Sequence, residues 1–183
     1  MKISLPLKEE DIKKLKVGDK VELYGTMYTA RDVAHSRIVD LINNKKDLPF
    51  KLDGQIIFYV GPAPAKPGNV IGSAGPTTSY RMDGFAPVLL DNGLKGMIGK
   101  GPRSNEVKEA IKRNKAIYFL AVGGVGALIA TTIKESKVIA YADLGTEAIR
   151  RIEVEGFPAI VANDIYGNDL YEIGRKKYEI KEL

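Results

Sequence analysis

Apolar and polar positions change period several times along this chain, and each change marks a new element. Val17-Gly18-Asp19-Lys20-Val21-Glu22-Leu23-Tyr24-Gly25 opens on a turn and then alternates, as a half-buried strand does. From Ala30 to Lys46 the apolar residues Val33, Ala34, Ile38, Leu41 and Ile42 fall close to a helical period. Gln55-Ile56-Ile57-Phe58-Tyr59-Val60 reads as a buried strand, and it runs into the proline-broken loop from Gly61 to Gly68. The stretch Met82 to Asn92 predicts a helix with Gly93 as its C-cap, and Gly96-Met97-Ile98-Gly99 a short strand. Ser104 caps a helix over Asn105 to Asn114, with Val107 where a capping box would place Glu or Gln. Ala116 to Val122 is a strand. Gly123-Gly124-Val125-Gly126 turns tightly into a helix over Ala127 to Ile133. Lys137 to Tyr141, Ile152 to Glu155 and Ala159 to Ala162 read as further strands, and the segment from Asp169 as a polar terminal element of no assigned type. Helices and strands alternate imperfectly, with strand pairs toward the C-terminus. This pattern predicts an α/β fold: a single mixed-sheet domain over residues 1–183, rather than a regular parallel sheet.

Composition narrows the chemistry. Apolar content of 44% and charge of 28% are ordinary for a soluble globular chain. No apolar run is long enough to span a bilayer, and the N-terminus turns charged too early for a secretion signal, so no membrane partner and a cytoplasmic location are expected. The net charge of +5 is mild and its basic residues are scattered. Lys108, Lys112 and Arg113 read as a solvated helix face. Nucleic-acid binding would rest on Arg175-Lys176-Lys177 without an aromatic platform, so no nucleic-acid partner is expected. There is no cysteine, which excludes disulfides, a thiol nucleophile and iron–sulfur ligands from this chain. With His35 the only histidine, a histidine-rich zinc site is excluded too, as is a Ser-His-Asp triad without it. Any metal chemistry must use carboxylates or be borrowed from a partner.

The run Gly75-Pro76-Thr77-Thr78-Ser79-Tyr80-Arg81-Met82-Asp83 places three consecutive hydroxyls beside an arginine, after a break and before a helix-like stretch. Free N–H groups at a helix start attract anions, and a guanidinium fork suits a carboxylate. Upstream, Arg31-Asp32 heads a helix with His35 on the same face as Asp32. The spacing alone favours a capped helix with a satisfied histidine over an arginine aimed at an anion. Lys100 lies between Gly99 and Gly101, where the backbone can approach a ligand closely. Gly99-Lys100-Gly101 fails as a P-loop, because position 94 is Leu and no Ser or Thr follows the lysine. Gly123 to Gly126 fails as a dinucleotide loop because Ile129 stands where the last glycine belongs. Arg31, Arg81 and Lys100 remain as three cations that could converge on a small dianion such as a dicarboxylate.

Taken in order, Arg31-Asp32-Val33-Ala34-His35, Gly61-Pro62-Ala63-Pro64, the Gly75 to Asp83 run and Gly99-Lys100-Gly101 resemble the β subunit of class I fumarate hydratase and L(+)-tartrate dehydratase. The resemblance implies a swivelling β/β/α domain. It also implies an α-subunit partner that holds a [4Fe–4S] cluster through three cysteines, with one iron open to substrate as a Lewis acid, in an α2β2 assembly. Within this chain it implies that Arg31, Arg81 and Lys100 bind the substrate's carboxylates and hydroxyl. Thr77 becomes the candidate base, or alternatively a hydrogen-bond donor to a carboxylate. Thr78 positions substrate, and Asp32 and His35 support these groups from behind. The implied reaction is reversible hydration of fumarate to malate, or dehydration of tartrate, active only with the α subunit. The competing reading is a stand-alone domain that binds small dicarboxylates without catalysis.

Overall fold

The computed structural model describes residues 1–180; the last three residues of the expected 1–183 domain lie outside the described residues. The elements in order are β1 (Lys2–Ser4), α1 (Glu9–Ile12), β2 (Lys20–Thr29), α2 (Asp32–Asn43) and β3 (Ile56–Phe58). A 3-10 turn (Ser79–Met82) then leads to α3 (Ala86–Asp91), β4 (Gly96–Gly99), α4 (Asn105–Arg113), β5 (Ile117–Leu120) and α5 (Gly126–Thr132). The chain finishes with β6 (Ile133–Ala140), a second 3-10 turn (Ala142–Glu147), β7 (Ile149–Asn163) and α6 (Leu170–Tyr178). Among the described residues no helix is long and apolar enough to cross a membrane.

The sheet is mixed, as expected, with strand order β1-β2-β3-β4-β5-β7-β6. The first five strands run parallel. β7 joins antiparallel to β5 and β6, and also antiparallel along most of β2. The pairings β2–β3–β4–β5–β7–β2 therefore close on themselves. Alternation along the central strands sorts their side chains into two cores, because successive residues face opposite sides of a sheet. Phe58, Ile98, Phe119 and Phe157 belong to the inner core with Ile129 of α5, and the Phe58 and Phe157 rings meet edge to face at 5.1 Å. Ile57, Tyr59, Met97 and Tyr118 belong to the outer core, against Ala34 and Ile38 of α2, Leu89 and Leu90 of α3, and Val107, Ala110 and Ile111 of α4.

Several elements differ from expectation or fill in what it left open. β1 and α1 were not anticipated; both are short and their polar flanks hide the period. The stretch predicted as one helix over Met82 to Asn92 divides into the first 3-10 turn and α3, because Gly84 interrupts it and Pro87 takes a first-turn position where its missing N–H does no harm. The two predicted C-terminal strands are one, β7: Gly156 takes a positive φ of 69° and Pro158 stays in the ladder opposite Glu22. The ladder shifts register only between Leu23 and Gly25. The polar terminal segment is α6, capped by the Asp169 carboxylate accepting the Tyr171 N–H. Ser104 caps α4 as expected, accepting the Val107 N–H at 3.4 Å. Lys108 is not a solvated lysine: it lies 2.7 Å from Asp169 and 2.5 Å from Glu172.

Glycine is required where elements press together. A Cβ on Gly126 would stand 2.6 Å from Ser73 Oγ and 2.8 Å from the Gly75 nitrogen, so the Gly123 to Gly126 turn serves helix-to-loop rather than helix-to-strand packing. A Cβ on Gly99 would collide with Ser79 Oγ and reach 3.0 Å from the Tyr59 ring. We expect Gly99→Ala to lower unfolding stability by about 1–3 kcal/mol, as overpacked cores do. Gly84→Ala, with nothing within 4 Å of the new Cβ, should stay within about 0.5 kcal/mol of the parent. Urea unfolding of the two variants checks the pair.

Candidate functional site

The carboxyl ends of parallel strands are where an α/β sheet presents its loops to a ligand. Four such ends, those of β2, β3, β4 and β5, lie side by side here, and the first three carry the candidate residues. β2 runs out at Thr29 and passes through Ala30, whose N–H donates to the Phe58 carbonyl, to Arg31 at the head of α2. β3 runs out through Tyr59 to Gly61, and a hypothetical Cβ on Gly61 would sit 3.1 Å from Arg31 Nη1, so glycine lets that guanidinium lie against the strand end. The loop after Gly61 returns at Thr77, whose N–H donates to the Tyr59 carbonyl at 2.7 Å. Thr78 then forms a parallel bridge with Lys100 at the end of β4. The Thr77-Thr78 segment is thus held between the ends of β3 and β4.

The hydroxyl run does not open a regular helix. Thr78 precedes a 3-10 turn of four residues and caps it without a side-chain hydrogen bond, so its hydroxyl is not spent on the backbone. Ser79 is buried, and its hydroxyl meets the Tyr118 hydroxyl at 2.8 Å. The third hydroxyl of the run is therefore a packing group, and only Thr77 and Thr78 remain at the partly open surface.

Two of the three expected cations are already paired. Arg31 Nη1 lies 3.2 Å from Glu147 Oε1, and Arg81 Nη2 donates to Asp32 Oδ2. Lys100 is exposed and enters none of the ion pairs among the described residues. The site carries one unneutralised positive charge, on Lys100, and two guanidiniums that keep further N–H donors beyond the one each gives to its carboxylate. Arg31 Nε and Asp32 Oδ1 are buried without a partner, on adjacent residues at one strand end. Buried unpaired polar groups of this kind cost roughly 1–3 kcal/mol each.

His35 is fully buried and holds Arg31 from behind. Its Nδ1 is 2.8 Å from the Arg31 carbonyl, which also accepts the His35 backbone N–H at 2.8 Å. Burial pushes its pKa down to about 4, against the opposing pull of the Arg31 carbonyl, so the ring is neutral at pH 7 and donates through Nδ1. Asp32 thus pairs with Arg81, and His35 Nδ1 is satisfied by the Arg31 carbonyl.

Sequence reasoning passed over the group that supports this arrangement. Arg103 is buried, with its Nε 2.7 Å from Asp83 Oδ1 and its guanidinium 5.5 Å from the Tyr59 ring centroid and 4.9 Å from that of Tyr118. The second Asp83 oxygen accepts the Ser104 N–H at 2.6 Å. Asp83 closes the hydroxyl run in sequence, which was the one available signal; Arg103, Tyr118 and Glu147 carried none. Among the described residues no group of three His, Cys, Asp or Glu side chains stands together to hold a metal.

Residues 1–174 match the family model described as Fumarase C-terminus. The chain is 39% identical over 180 residues to a putative L(+)-tartrate dehydratase subunit beta of Methanocaldococcus jannaschii, covering 94% of this chain and 92% of that protein. It is 34% identical over 181 residues to the L(+)-tartrate dehydratase subunit beta of Escherichia coli, covering 96% and 89%. It is 40% identical over 157 residues to fumarate hydratase 2 of Leishmania major, covering 85% of this chain but 28% of that larger protein. The chain thus spans nearly all of the beta subunits it matches and about a third or less of the fumarate hydratases. With a fold of mixed-sheet α/β type and a family model that runs through all of its strands, the chain belongs to the Fumarase C-terminus family.

Proposed function

We propose that this chain is the β subunit of an iron–sulfur hydro-lyase acting on a four-carbon dicarboxylate: reversible hydration of fumarate, or dehydration of L(+)-tartrate. The observation that carries the reading is the junction of Arg31, Thr77, Thr78, Arg81 and Lys100 at adjacent strand ends, in a chain that spans nearly the full length of two proteins named as beta subunits. Fumarate hydratases in which the same family region is under a third of a longer chain suggest what the rest contributes. In the two-part form that remainder is a separate α subunit, and we place the [4Fe–4S] cluster there. This chain's donor set does not fit a cluster: it has no cysteine, and no trio of His, Asp or Glu is gathered among its described residues. An α2β2 assembly and a cytoplasmic location belong to the same proposal, as does a domain that swivels to close on its partner.

Within this chain the proposed work is binding, orientation and handling of one proton. A dianionic substrate is drawn by the unneutralised Lys100 ammonium. It then takes the N–H donors that Arg31 and Arg81 have left over from Glu147 and Asp32. Because those two carboxylates hold the guanidiniums in place before substrate arrives, little reorganisation is needed when charge builds on the carboxylate next to the reacting carbon. Thr77 is the candidate base. Its hydroxyl ionises far above neutral pH, so this role requires the neighbouring cations to stabilise an alkoxide. Donating a hydrogen bond to a carboxylate is the alternative use of the same group. His35, neutral and buried, acts only by fixing the Arg31 backbone.

The test uses the chain assembled anaerobically with its α partner, with fumarate absorbance as the readout. Arg81 is 43% exposed at its side chain and an ion pair that open is worth about 0–1 kcal/mol of stability, so Arg81→Ala should fold normally. We expect it to lose at least about 100-fold in kcat/KM, the scale of a missing charged donor at developing charge. Lys100→Ala should raise KM while leaving kcat within about threefold, because it grips a carboxylate equally in ground and transition states. Undiminished turnover in Arg81→Ala would remove the site. A Lys100→Ala defect confined to kcat would assign that lysine to the chemical step instead.

A further inference from the structure

Gly99 and Gly101 flank Lys100, and Gly101 has a φ of 85°, so chain stiffness does little to define where this lysine stands. Hydrogen bonds do it instead. From the Gly99 carbonyl to the Gly101 carbonyl every backbone polar group is satisfied. Gly99 O accepts from Ala121 N at 2.9 Å, Lys100 N donates to Thr77 O at 3.3 Å, and Lys100 O accepts from Ser79 N at 2.9 Å. Gly101 N donates to the Tyr171 hydroxyl at 2.8 Å, and Gly101 O accepts from the Tyr118 hydroxyl at 2.9 Å. Four of these partners come from the segments that build the site itself. The fifth, Tyr171, reaches in from the C-terminal helix α6.

Tyr171 sits at the edge of the outer core. No residue of α6 is fully buried, and Leu170 and Tyr171 pack part of their side chains against that core. Its start is nonetheless pinned: the Asp169 carboxylate accepts the Tyr171 N–H at 2.8 Å and meets Lys108 of α4 at 2.7 Å, and Lys108 also reaches Glu172. The ring of this half-buried tyrosine, on an anchored helix, packs on the outer core, and its hydroxyl, beyond that packing, serves one glycine N–H in the lysine loop.

We propose that Tyr171 is a positioning residue for Lys100: by accepting the Gly101 N–H it completes a backbone clamp that sets the lysine against the Thr77-Thr78 segment. The inference rests on the substrate-binding role given to Lys100 above. Losing the clamp leaves the lysine present but mobile about two glycines, so substrate is held less well and the chemistry, once substrate is held, proceeds as before.

Tyr171→Phe tests this, because it keeps the ring and removes only the acceptor. Two measurements are needed. In the full chain by itself, amide hydrogen exchange at residues 100 and 101 should quicken in Tyr171→Phe while the exchange of β4 and β5 is unchanged; equal protection of the loop in both proteins overturns the clamp whatever the enzyme does. In the complex assembled with the α partner, Tyr171→Phe should raise KM for fumarate about three- to tenfold, the weight of one neutral hydrogen bond, with kcat within about twofold. In a Lys100→Ala background the same substitution should change KM by less than about twofold, since there is no longer an ammonium to place. An equal KM increase with and without Lys100 means that Tyr171 acts structurally and overturns the inference. Lys100→Ala with parental kcat and KM removes the substrate role of the lysine and the positioning role with it, even where the exchange data uphold the hydrogen bond.

Discussion

The guanidinium of Arg103 lies in the outer core between the rings of Tyr59 and Tyr118, with its charge met by Asp83. A buried charge of this kind is tolerated only while its partner and hydrogen bonds remain; removing one member of such a pair costs about 3–5 kcal/mol. The geometry around it explains why the site depends on it. Asp83 ends the segment that carries Thr77, Thr78 and Arg81, and Arg103 begins the approach to α4 just after Lys100. Asp83 also takes the Ser104 N–H, so one carboxylate ties the hydroxyl run to the head of α4. Tyr59 accepts the Thr77 N–H through its carbonyl and Tyr118 bonds both Ser79 and Gly101. One ion pair and two tyrosines therefore set the distance between the threonines and the lysine loop.

On that frame the electrostatics take a particular form. Three cations at one strand-end face would repel each other and, left bare, attract any anion. Two of them are matched internally, Arg31 by Glu147 and Arg81 by Asp32, which keeps the face close to neutral and leaves Lys100 to supply the net attraction. Arg31 Nε and Asp32 Oδ1 stay buried without a partner on adjacent residues of this face, as do His35 Nε2, Tyr59 Oη and Arg103 Nη2 close by, while Gln55, Tyr141, Arg150, Asn163 and Asp169 carry others elsewhere in the fold. Buried polar groups left unmet beside a candidate site are available to a ligand, and each of the others costs stability in the same way.

Much of this was legible in the sequence, and the parts that were not have a common cause. The strands around Ile56, Met97 and Phe119 and the helices α2 and α4 announced themselves because each owes its form to a local period. The hydroxyl run, Arg31 and Lys100 stood out because their residue types sit beside glycine and proline breaks. What escaped depends on contacts far apart in the chain. Glu147 reaches Arg31, Tyr171 reaches Gly101, and Arg103 sits between rings from β5 and the end of β3; none of these pairs has a spacing that a single sequence can reveal. Gly156 and Pro158 misled because a glycine-proline neighbourhood usually ends a strand, whereas here the long pairing with β2 carries β7 through it. Ser79 stands with Thr77 and Thr78 in sequence, and only its contact with Tyr118, far along the chain, sets it apart as a buried packing group.

The central claim is that residues of the β2, β3 and β4 strand ends share one bound dicarboxylate. The most direct measurement is a crystal structure of the assembled complex with substrate or product bound. The account predicts the two carboxylates within about 3 Å of donor atoms from Arg31, Arg81 and Lys100, with the Thr77 hydroxyl facing the substrate. A dicarboxylate seated elsewhere, with those three side chains still turned to Glu147, Asp32 and solvent, would contradict it.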